Sequence, residues 1–192
     1  MAIMTLGELK AAVMSTVGAE YTADIVRYLN KGLLELSPLS QVLSRDNVTL
    51  VSGAFAVPVT CLIPKAVYYE GYPLAKYEQD DVPTSVTGTP LYWFRDGANI
   101  KVYPAPDASS AAQIVYIKKE AVMEAEADTH TLTDAEEFLI AYAKWKVLID
   151  TKGLSEEALY WKQEAANEQE KWRKLNSAQF SRPRKVRVGR WG

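Results

Sequence analysis

Cysteine and histidine each occur once in the 192 residues, as Cys61 and His130. A single cysteine excludes an internal disulfide and any thiolate-rich metal site. His130 sits in Asp128-Thr129-His130-Thr131. With Asp128, Glu124 and Glu126 it would make only an oxygen-rich set without zinc spacing, so it reads as a solvated loop histidine. No phosphate loop, dinucleotide fingerprint, nucleophile elbow or metalloprotease motif is present. The acidic pairs Asp80-Asp81, Glu136-Glu137 and Glu156-Glu157 cannot face each other as acid and base. Consecutive side chains point about 100° apart on a helix, or to opposite faces of a strand. No run of apolar residues is long enough to cross a membrane, and Glu8 and Lys10 break up the N-terminal one. Neither a signal peptide nor a membrane span is therefore expected. Without secretion the Asn47-Val48-Thr49 sequon is a chance match. The expected setting is a reducing cytoplasm, with no cofactor, no metal and no enzyme chemistry.

Acidic residues are missing from the C-terminal end. From Ser177 to Gly192 there are five basic residues, Arg182, Arg184, Lys185, Arg187 and Arg190, and no Asp or Glu. The first 176 residues hold 17 basic against 24 acidic ones, a net of −7. An acidic body with a basic tail suggests two partners or two tasks.

What is present is 48 % apolar residues, enough for a core in one domain with a subdomain inserted in it. Thr5-Leu6-Gly7-Glu8 is a capping box ahead of the stripe Leu6, Leu9, Val13 and Val17. Thr22 is placed to cap a second helix with Ile25, Leu29, Leu33 and Leu36 inward, until Ser37-Pro38 stops it. Near the other end, Thr133-Asp134-Ala135-Glu136 predicts a third helix with Phe138, Leu139, Tyr142, Trp145, Leu148 and Ile149 inward, ending at Lys152-Gly153. Ser155 predicts the cap of a fourth, with Leu154 and Leu159 at staple spacing and Ala158, Trp161, Ala165 and Trp172 on one side. Two short amphipathic helices cannot bury their stripes alone, so they are expected to pack on the later hairpin.

The middle reads as strand. Residues 47–51 and 54–59 flank Ser52-Gly53, 65–70 and 73–77 flank Gly71-Tyr72, and 91–95 and 99–103 flank Asp96-Gly97. Residues 112–118 add a seventh strand, with Ile114, Tyr116 and Lys118 on one face and Gln113, Val115 and Ile117 on the other. A small twisted antiparallel sheet or half-barrel is expected, with a polar loop over 79–90. Tyr92, Trp93 and Phe94 in succession place aromatics on both faces of one strand; one face is core, and the other is covered by a loop or by a neighbouring chain. The fold class is α+β: a four-helix cluster with an inserted antiparallel β subdomain and an extended C-terminal arm. The segments are 1–45 (N-terminal helices), 46–120 (β insertion), 121–176 (helical hairpin) and 177–192 (arm).

That arm, Phe180-Ser181-Arg182-Pro183-Arg184-Lys185-Val186-Arg187-Val188-Gly189-Arg190-Trp191, admits three readings. It is a solvated terminus, a nucleic-acid arm whose cations meet phosphates, or an edge-adding or groove-docking peptide. The alternation Val186-Arg187-Val188 and the terminal Trp191 favour the last, since such peptides anchor at alternate positions.

The order of parts resembles the head-to-tail connector adaptors, or head completion and gatekeeper proteins, of tailed bacteriophages. The resemblance rests on Gly71-Tyr72-Pro73-Leu74, Gly88-Thr89-Pro90-Leu91-Tyr92-Trp93, Ile100-Lys101-Val102-Tyr103-Pro104-Ala105-Pro106, Ile114-Val115-Tyr116, the capped helix pair and the Arg-rich tail. It implies a structural protein of the virion neck, assembled in the host cytoplasm. Copies would form a head-to-tail ring of about twelve, as closed cyclic assemblies do. It implies a portal protein as partner of the arm (Phe180, Arg182, Arg184, Lys185, Val186, Arg187, Val188, Arg190 and Trp191). A downstream tail or nozzle protein would meet the β region, with Tyr92, Trp93 and Phe94 at a subunit or tail interface. Double-stranded DNA would pass through the lumen without sequence-specific binding, and an acidic wall would avoid trapping its phosphates. The alternatives are a nucleic-acid-binding protein using the basic arm, and a small enzyme centred on His130.

Overall fold

The structure is a computed structural model that describes residues 3–40, 43–77 and 86–180, with the backbone alone for 177–180. Among these residues it is α+β, with four α-helices and two sheets. The chain divides into two compact units: one takes Met1–Ser40 and Glu120–Gly192, the other Gln41–Lys119.

In the helical unit, α1 (Leu6–Val17) starts on its capping box. The Thr5 amide donates to Glu8 Oε2 at 2.8 Å and the Glu8 amide to Thr5 Oγ1 at 3.3 Å. Helix α2 (Thr22–Leu36) grows out of a short 3-10 turn, Ala19–Tyr21, so it needs no side-chain cap. The Thr22 hydroxyl, expected to cap, instead donates back to the Ala19 carbonyl at 2.6 Å. Helix α3 (Glu136–Lys152) also begins without a side-chain cap, with Ala135 at the cap position two residues past the expected Thr133. Asp134 takes a left-handed conformation, φ +55°, which turns Thr133 away from the first helical amides. The Thr133 carbonyl is held by Trp172 Nε1 at 2.9 Å, and Glu136 reaches toward the Met4 amide at 3.4 Å. Helix α4 (Glu156–Phe180) does use its predicted cap: the Ala158 amide donates to Ser155 Oγ at 3.2 Å. The staple does not close, since Leu154 is 78 % and Leu159 49 % exposed.

Helices α1, α2 and α4 all pack on α3, so α3 is not one-sided. Ala141, Ala143, Lys144 and Val147 are buried along with Phe138, Leu139, Tyr142 and Leu148, while Trp145 and Ile149 are only half-buried. A helix buried nearly all round loses the stripe that marks a surface helix. Gly32 permits the close approach of α2: a Cβ there would lie 3.0 Å from Leu139 Cδ2. The buried Ala158 and Ala165 keep the facing side of α4 small. The returning segment 120–135 ties α1 and α2 down. Its Asp128 and Glu126 carbonyls accept from the Leu6 and Gly7 amides at 2.8 and 3.0 Å, and the Asn30 carboxamide bonds both backbone groups of Met123.

The described residues of the other unit form eight strands in two sheets, where seven in a small twisted sheet or half-barrel were expected. β1 (Leu43–Leu50), β8 (Ser110–Lys118), β3 (Cys61–Tyr69) and β4 (Tyr72–Pro73) form one; β2 (Ala54–Ala56), β7 (Asn99–Tyr103), β6 (Tyr92–Asp96) and β5 (Ala75–Lys76) form the other. The Ser52-Gly53 turn is present, with φ +51° and +73° and a Val51–Ala54 bridge, but its two strands then part into different sheets. Gly53 is required there, because a Cβ would stand 2.7 Å from that of Ala105. The next turn falls on Glu70-Gly71, one residue earlier than the expected pair, since these two carry the positive φ. β5 pairs with β6 in parallel, a departure from the all-antiparallel expectation. The core is Leu50, Phe55, Val67, Leu74, Trp93, Ile100, Val102, Ala112, Ile114 and Tyr116. Val115 and Ile117 of β8 are buried as well, so this central strand is covered on both faces.

Candidate functional site

The three aromatics of β6 separate by the two-residue period of a strand. Trp93 is 1 % exposed and belongs to the core. Tyr92 is exposed and Phe94 half-buried, so these two are the accessible members of the set. Tyr92 packs edge-on against Tyr77, ring centroids 5.7 Å apart, an arrangement that suits the ring quadrupoles. Backbone bonds hold the pair: the Ala75 amide donates to the Leu91 carbonyl at 3.0 Å and the Tyr77 amide to the Trp93 carbonyl at 2.8 Å. Leu91 and Tyr72 are exposed too. Of the polar loop 79–90, residues 86–90 are described; the Gly88 amide donates to the Ala105 carbonyl at 2.8 Å and the Ala105 amide to the Val86 carbonyl at 3.0 Å. A shallow hollow of about 340 Å³ opens beside it, lined by Tyr69, Thr89, Asp107 and Ser110. It offers a single carboxylate.

His130 is not the solvated loop histidine expected from sequence. Its side chain is fully buried, neither ring nitrogen has a hydrogen-bond partner of normal geometry, and Glu136 Oε1 is 3.9 Å from Nε2. The cause is the segment it belongs to, which bridges to α1 through Thr5 and Thr129 and turns the imidazole inward. Burial pushes its pKa below the ordinary value, with Glu136 and Glu120 partly opposing. Among the described residues no group of His, Cys, Asp or Glu is placed to hold a metal ion. No helix among them is long and apolar enough to cross a membrane.

A second accessible surface was not singled out in the sequence: a run of lysines lying over aromatic rings on the helical unit. Lys146 Nζ is 4.0 Å from the centre of the Trp145 ring and 5.4 Å from that of Tyr142, Lys162 is 5.9 Å from Trp145, and Lys31 is 5.2 Å from Tyr28. Lys144 is buried over Trp161 at 4.1 Å, and that burial lowers its pKa. The available signal was the absence of any acidic residue three or four positions from Lys162.

Of the arm, Phe180 is the last residue of α4, so helix continues past the boundary drawn at 176. Its side chain, and Arg182, Arg184, Lys185, Val186, Arg187, Val188, Arg190 and Trp191, lie outside the described residues.

Compared with known proteins, residues 4–189 match a family model described as SU10 adaptor protein. No curated protein matches the chain.

Proposed function

We propose, from the premise that this chain belongs to the SU10 adaptor protein family of phage head–tail adaptors, that it forms a ring between portal and tail in the virion neck. The family is one of structural adaptors, not of enzymes. The observation that carries the proposal is the extent of the match, which takes in both units and reaches into the basic tail as far as Gly189.

Each part then has a task. Copies of the helical unit sit side by side in a closed ring of about twelve, arranged head to tail. Double-stranded DNA passes through the lumen, and the net of −7 over the first 176 residues keeps its phosphates from sticking. The β unit receives the next tail or nozzle protein, with Tyr92 and Phe94 as its accessible aromatics. The segment 181–192 follows α4 directly and, extended, reaches roughly 40 Å at about 3.3 Å per residue. Val186, Val188 and Trp191 anchor it on the portal while its cations meet carboxylates.

The test is co-sedimentation with purified portal rings. The full chain should arrive in stoichiometric amount and appear as a ring; a chain lacking 181–192, or carrying Trp191→Ala, should fold and stay behind. A DNA-binding arm predicts otherwise: five phosphate contacts give a salt slope near −4.5 for duplex binding by the tail. Docking that survives Trp191→Ala, together with that slope, would replace the portal arm by a nucleic-acid arm.

A further inference from the structure

Between α2 and α4, the strip of α3 that carries Trp145 and Lys146 is left partly open. The three lysines around it, Lys31, Lys146 and Lys162, touch rings, and no ion pair joins them to a carboxylate among the described residues. The carboxylates one turn away are already engaged. Glu35 accepts from the Tyr142 hydroxyl at 2.6 Å, and Asp150 accepts from the Tyr28 hydroxyl and from Arg27. Trp145 itself is half-buried, with its indole N–H on the covered side. A half-buried aromatic ring with one lysine over its face and a second close by, neither held in an ion pair, is the make-up of an interface anchor.

The same unit carries a complement elsewhere. In the returning segment, Val122 is 58 % exposed and Glu124 beside it is an exposed carboxylate, while Glu126 is paired with Lys10. This segment is fastened to α2 through Asn30, whose side chain points about 100° around the helix from that of Lys31. The two patches are built from different segments of this unit. One is apolar flanked by acid, the other apolar flanked by base.

We propose that the Trp145–lysine face of one copy seats the Val122–Glu124 segment of the next. The inference rests on the ring reading above and names the contact that closes that ring. A contact between unlike faces propagates head to tail, as a ring requires. A two-fold contact of the lysine face with itself would set cation against cation, which electrostatic complementarity disfavours.

Two full-length variants test it: Lys146→Glu with Lys162→Glu, and Val122→Lys with Glu124→Lys. Each alters only half-buried or exposed side chains, and thermal melts confirm that each is folded. On purified portal rings, each variant alone should form rings at least about tenfold less readily, because every junction then opposes like charges. Mixed in equal amounts the two should recover, since an alternating ring gives each reversed face an opposite partner. Wild-type rings with undiminished single variants would overturn the contact and leave the ring standing. Impaired variants that mixing does not rescue would also overturn it, and would assign the lysine face to the portal or to DNA. A wild type that binds portals without forming a ring would remove the ring reading and this inference together.

Discussion

The His130 side chain is fully buried, and neither ring nitrogen makes a hydrogen bond of normal geometry. Burial holds its pKa below the ordinary 6.5, so the unfolded chain takes up a proton before the folded one does. Stability should therefore be full above about pH 6.5 and fall as the pH drops below it, the direction linkage gives when the unfolded state binds more protons. Denaturation midpoints between pH 5 and 8 should show this slope, and His130→Gln should flatten it. An unchanged slope in the variant would mean that other groups set the acid limit. Trp93 and Tyr92 make a matched pair of opposite kind. Trp93→Ala should cost about 3–5 kcal/mol, as deletion of a buried aromatic does. Tyr92→Ala should leave the melting temperature nearly unchanged and weaken tail joining. Normal tailed particles from Tyr92→Ala would take the tail contact away from this strand. The sequence supplied the three aromatics and their alternation; which of them faced inward depended on the partner strands β5 and β7.

At the scale of elements, local chemistry was legible and partnership was not. Thr5 and Ser155 cap as expected because their bonds run to residues three positions on. Thr133 carries the same pattern and caps nothing, because Asp134 is left-handed and Trp172, 39 residues away, holds its carbonyl. Ser155→Ala should then cost about 0.5–2 kcal/mol, while Thr133→Ala should stay within about 0.5 kcal/mol, as surface changes do. Equal losses in urea titrations would restore Thr133 as a cap. The inward face of α3 was only half readable, since the expected stripe omitted Ala141, Ala143 and Val147. Three packing partners erase the one-sided pattern that periodicity detects. Leu148→Ala should cost about 2–5 kcal/mol by lost transfer energy and a cavity. Trp145→Ala should cost less, being half-buried, and show its effect in assembly instead. The division into two sheets escaped for a related reason. Ser52-Gly53 announces a hairpin, but nothing nearby in sequence records that β1 will pair with β8 and β2 with β7.

For the molecule as a whole, the insertion of Gln41–Lys119 between two halves of the helical unit sets an order of events in time. Helix α2 ends at Leu36 and its partner α3 begins at Glu136, so about 100 residues must be made before they can meet. At about 5–20 residues per second the ribosome needs on the order of 5–20 s for that stretch. Meanwhile Leu6, Leu9, Ile25 and Leu29, all buried in the finished protein, have no α3 to cover them. In the β unit β1 waits for β8 as well, but that unit has all its strands once Lys118 has been made. A nascent chain stalled once β8 has cleared the ribosome, but before α3 has, should thus present a protease-resistant β unit beside degradable first and second helices. Synthesis slowed within the insertion should lengthen the interval in which the first two helices depend on chaperones, so yield should fall with translation speed even though every residue of the finished protein is the same.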